Sequence, residues 1–146
     1  MQKIVVLVLA FLATSSLPGW ADCPLALRSY EDAEGRDFLL EFDPPPPDRP
    51  VQQVGVATLL HSTRGKIFEF EVYATSGYGR VSLVRGEHNH TAYFFTEDLR
   101  STKTELDSRL LFIDGLGAAD WMLGPLPDSR EFPLGDTIWR LAGCKE

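Results

Sequence analysis

From Lys66 to Ala74 the chain alternates almost strictly, with Phe68, Phe70 and Val72 at one parity and Glu69 and Glu71 at the other. Successive side chains of a strand face opposite sides of a sheet, so this pattern is that of a half-buried antiparallel strand. Val54–Leu60 before it and Arg80–Val84 after it are its natural neighbours, joined through His61–Gly65 and Thr75–Gly79 as hairpin loops. Phe38–Phe42, Thr91–Phe95, Arg109–Asp114, Ala118–Leu123 and Thr137–Cys144 supply further short runs of strand character. Turn signals recur every dozen or so residues, which is the spacing of an all-β sandwich or small barrel. The sequence therefore predicts an all-β fold of about eight antiparallel strands.

The segments between these runs read as connectors. Four consecutive prolines, Pro44–Pro47, cannot donate ladder hydrogen bonds and stiffen the link between two strands. Glu31–Gly35 lacks the ligand spacing of a calcium loop and reads as a solvated turn ahead of the Phe38 strand. Glu97–Ser108 is polar and reads as a loop.

Residues 1–21 are expected to be a signal peptide. Lys3 is followed by ten apolar residues, Ile4–Ala13, and by a small-residue region with Gly19 and Ala21 at the −3 and −1 positions of a cleavage site. The apolar stretch is shorter than the roughly 20 residues a membrane-spanning helix takes, so no membrane span is expected. Residues 22–146 then form a single β domain, exported to the periplasm or the extracellular space. Its two cysteines, Cys23 and Cys144, stand at opposite ends of that domain. In an exported chain they predict one disulfide that brings the N- and C-terminal segments side by side.

Residues 22–146 carry thirteen basic against twenty-one acidic residues, a net charge of −8. Nucleic acids and anionic membranes are bound through positive charge, so neither is an expected partner; a cationic protein or small ligand fits better. Small exported β domains with a disulfide include inhibitors of cationic cell-wall hydrolases. No motif carries residues across, so that likeness stops at architecture.

Candidate chemistry is sparse. His88 and His90, two apart on an extended segment, could converge on zinc or copper with His61 or Glu87 as a third ligand. The plainer account makes His88-Asn89-His90 a polar hairpin tip. Asn89-His90-Thr91 is also a glycosylation sequon. Glu69 and Glu71 share a face and could pair as acid–base carboxylates if one were desolvated, but alternating Glu on the wet side of an antiparallel strand is the ordinary explanation. No nucleophile elbow or phosphate-binding glycine loop occurs. Tyr78, between two glycines at a hairpin tip, and Arg80 beside it are residue types enriched at binding hot spots. The reading is an exported, non-enzymatic binding module, inhibitor-like or ligand-binding, that needs no cofactor. A metal-dependent enzyme or metal carrier built on His88 and His90, and a structural envelope component, are the alternatives.

Overall fold

In a computed structural model, which describes residues 23–76, 79–102, 107–123 and 131–146, the chain forms a closed antiparallel barrel. The expected signal segment 1–21 lies outside the described residues. A short 3-10 turn, Leu25–Leu27, leads into the strands β1 (Arg28–Asp32), β2 (Phe38–Asp43), β3 (Gln53–His61), β4 (Gly65–Ala74), β5 (Arg80–Arg85), β6 (His88–Phe95), β7 (Leu110–Ile113) and β8 (Ile138–Cys144). Each strand pairs with the next, and β8 returns to β1 through Arg28↔Cys144 to Asp32↔Trp139. The choice between sandwich and barrel is thereby resolved.

Alternation decides which side chains enter the barrel. On β4, Phe68, Phe70 and Val72 are buried and Glu69 and Glu71 face outward. Register then stacks large against small: Phe42 pairs with Ala57, and Ala57 with Phe70. Trp139, Tyr30, Phe42, Phe70, Phe94, Leu40, Leu59, Leu83 and Leu111 are all less than 2 % exposed. An eight-stranded barrel has a bore that side chains can fill, and here they fill it. Outward positions include Glu41, Glu69, Glu71, Arg80 and Arg140. A membrane-spanning barrel presents an apolar band there instead. Among the described residues no helix is long and apolar enough to cross a membrane.

The two ends differ. At one, the Cys23–Cys144 disulfide joins the first and last segments, with Cα atoms 6.1 Å apart. Lys145 donates its backbone N–H to the Leu27 carbonyl at 2.7 Å and its Nζ to Asp43 at 2.7 Å. Arg28 points into this end, donating from Nε to the Cys23 carbonyl at 2.9 Å and from Nη1 to the Ser108 carbonyl at 3.1 Å. Here too Gly79 meets the β6–β7 connection so closely that a Cβ would lie 2.0 Å from the Thr102 carbonyl oxygen.

The other end is capped, and here two expectations need correction. Ala118–Leu123 is not a strand but part of a helix, α1 (Leu116–Leu123). The run contains Ala, Leu and Met but no β-branched residue, so helix propensity and the need to turn Asp120 inward outweigh its apolar character. Glu31–Gly35 is not wholly a turn either: β1 runs through Glu31 to Asp32, with Tyr30 and Asp32 buried. The expected loop over 97–108 is irregular where described, apart from the Phe95↔Ser101 bridge; residues 103–106 lie outside the described residues.

The disulfide ties together segments that are adjacent only when the barrel is closed. A Cys23→Ser/Cys144→Ser double variant is expected to lose about 2–5 kcal/mol of unfolding free energy in urea titration. Its folded-state circular dichroism should not change.

Candidate functional site

The capped end is assembled by three buried contacts. Arg64, in the β3–β4 turn, forms a bidentate pair with Asp120 of α1: Nη1 donates to Oδ2 at 2.8 Å and Nη2 to Oδ1. Both side chains are excluded from solvent, at 0 % and 1 % exposure. Arg64 Nη1 also donates to the Phe132 carbonyl, and the Leu134 N–H donates to Asp120 Oδ2. These extra hydrogen bonds engage both terminal nitrogens of Arg64 and help a buried ion pair to be tolerated, while its Nε is left without a partner among the described residues. Second, Thr137 donates its hydroxyl to Asp32 Oδ1 at 2.7 Å, joining the start of β8 to the end of β1. Third, Gly117 of α1 lies directly on Gly135, where a Cβ would approach the carbonyl carbon to 2.3 Å.

Asp32 shows how this end handles charge. Burial alone would raise its pKa, but it accepts hydrogen bonds from the Thr137 hydroxyl, the Glu34 and Arg36 backbone N–H groups and the Arg36 guanidinium. Together these hold it below the usual carboxylate range.

The histidines are built into the same end. His61 Nδ1 accepts from the backbone N–H groups of Thr63 and Arg64, both at 3.1 Å. Nε2 therefore carries the proton and donates to the Arg36 carbonyl at 3.1 Å. The ring packs between Phe38 and Phe132, at centroid distances of 4.5 and 5.3 Å. His90 is buried, donates from Nδ1 to the Asp114 carbonyl at 2.8 Å and sets its ring edge-on to Phe70. His88 is exposed at the first position of β6. The barrel thus brings the three histidines to one end, yet two of them hold backbone groups. Among the described residues no three His, Cys, Asp or Glu side chains are grouped to hold a metal ion.

The other predicted positions lie elsewhere. Arg80 is at the disulfide end, its guanidinium 5.1 Å above the Tyr93 ring. This supplies the outer cover that Tyr93, on the wet face of its strand, requires. Tyr78 lies outside the described residues. Glu69 pairs with Lys66, and Glu71 accepts from the Tyr73 hydroxyl at 2.7 Å, all on the outer face.

Sequence reasoning missed the apolar surface of the cap. Trp121 is 55 % exposed, and Met122 and Leu123 beside it are 77 % and 44 % exposed. Next to them lies a groove of about 300 Å³ between α1 and Pro133–Asp136. A second cleft, of about 540 Å³, opens at the same end against Glu31, Asp37, Phe38, Leu39 and Leu60. Asp120 carried the signal for this arrangement: a lone charge within Ala118–Leu123 must be either exposed or paired.

No protein-family model matches this sequence, and comparison with curated proteins and with solved structures finds no match.

Removing one partner of the buried pair strands the other. Asp120→Ala is expected to cost about 3–5 kcal/mol of unfolding free energy, measured by chemical denaturation. The pH prediction follows from Asp32. Its lowered folded-state pKa means that its contribution is complete above the unfolded-state value and is lost as pH falls through about 4 and below. Thermal melts from neutral pH downward should show that loss in the parent, and Asp32→Asn should flatten the dependence while lowering the melting temperature at neutral pH.

Proposed function

We propose that the protein is an exported, non-enzymatic binding module whose partner-facing surface is the capped end of the barrel. One observation carries this reading: Trp121, Met122 and Leu123 are all exposed at consecutive positions of a helix that a buried bidentate ion pair holds in place. Large apolar side chains displayed on a rigid support are characteristic of interaction sites, and tryptophan dominates binding energy in such patches.

Two further observations support it. The bore is filled by its own side chains, so recognition belongs to the outer surface rather than to an internal calyx. The buried titratable groups at this end, Asp32, His61, His90 and Asp120, hold neighbouring backbone or side chains in place. Export is supported by the N-terminal pattern of residues 1–21 and by the disulfide, which suits an oxidising compartment.

Affinity capture from the export compartment tests the reading. Tagged Trp121→Ser/Met122→Ser protein should lose a partner that the parent retains, with binding weakened by at least about thirty-fold at an unchanged melting curve. Loss with Arg80→Ala, and not with the helix variant, would move the site to the disulfide end.

A further inference from the structure

We propose that the groove beside Trp121 receives a lysine or arginine side chain of a cationic protein partner. The inference rests on the capped end being the binding surface and adds the chemistry of what binds there. The groove runs between α1, which contributes Gly117, Ala118 and Trp121, and the segment Pro133–Asp136. Trp121, Pro133 and Leu134 give it apolar walls, and two carboxylates border it, Asp120 and Asp136. Asp120 is neutralised by Arg64 and accepts from the Leu134 N–H. Asp136, exposed, supplies the charge that a visitor meets.

Among the described residues, Arg36 packs against Gly135 beside the groove. It faces two carboxylates, Asp32 at 3.3 Å and Glu34 at 2.9 Å, so this cluster is itself net negative and does not offset Asp136.

Three classes of visitor can be weighed. An anion would be repelled by Asp136 and by the charge of −8 borne by residues 22–146. A wholly apolar anchor would desolvate Asp136 without pairing it, which is costly. A lysine or arginine satisfies both halves of the groove. Its aliphatic stem lies along the apolar walls, and its charged head meets the Asp136 carboxylate.

The test uses lysine and arginine hexapeptides as probes and the Trp121 indole N–H resonance as reporter, identified by its loss in Trp121→Phe. Trp139 is 1 % exposed and serves as the internal control. Hexalysine or hexaarginine should shift the Trp121 signal saturably at micromolar to millimolar concentrations, leave Trp139 unmoved, and lose effect at high salt. Asp136→Asn should weaken the response by about ten-fold. No shift with either peptide, an equal shift with hexaglutamate, or a shift unchanged in Asp136→Asn overturns the proposal. Partner capture separates the two readings. Capture lost in Trp121→Ser/Met122→Ser but intact in Asp136→Asn leaves the capped-end surface standing and removes the cation. Capture intact in both removes the two together.

Discussion

An eight-stranded barrel encloses a bore of nearly fixed width, and filling it with side chains is the constraint on which the rest of this structure depends. Ala57 sits between Phe42 and Phe70 in register because two phenyl rings leave no room for a third large group. Once the middle of the bore is apolar and full, inward-pointing polar residues can only lie near its ends. Arg28 enters at the disulfide end, and Asp32, His61 and His90 lie at the capped end. The chain thus separates a packed waist from two polar rims, and each rim needs its own means of satisfying buried charge.

The two rims solve that problem differently. At the disulfide end, backbone carbonyls of Cys23 and Ser108 receive the Arg28 guanidinium, and the covalent bond holds those segments near each other. At the capped end the long β7–β8 connection folds back as α1, and Asp120 brings a countercharge to Arg64. That pair settles which face of the helix turns inward. Trp121, Met122 and Leu123 follow Asp120 directly in sequence and lie toward solvent. Trp121 and Met122, one and two positions past Asp120, are turned away from its face by the helix itself, whereas Leu123, three positions on, is exposed although it shares that face.

Much of the fold was legible because strand alternation is a local signal. Phe38–Phe42, Lys66–Ala74 and Arg80–Val84 declare their inner and outer faces without reference to anything distant, and two cysteines allow one pairing. What stayed hidden depends on contacts between residues far apart in sequence. Asp32 and Thr137 are 105 residues apart, and Arg64 and Asp120 are 56 apart. No local pattern distinguishes an aspartate that caps a barrel from one in a solvated turn, so Glu31–Gly35 reads as surface. Ala118–Leu123 is ambiguous for the same reason, since a short apolar run fits strand or helix until a partner for its one charge is known. The His88-Asn89-His90 motif was visible, but it is not the expected hairpin tip: it opens strand β6, paired with Leu83–Arg85, and Asp114, which holds His90, lies 24 residues on.

The pairing of β8 with β1 also bears on how another protein can be held. An open sheet offers a row of free backbone donors and acceptors, to which a partner can add a strand of almost any sequence. Here every strand is paired on both sides for part of its length, so none is a free edge strand. A partner of such a barrel would be read chiefly through side chains, whose identities discriminate where a backbone edge would not. On the reading proposed above, selectivity would rest on a few residues of the cap rather than on the eight strands beneath.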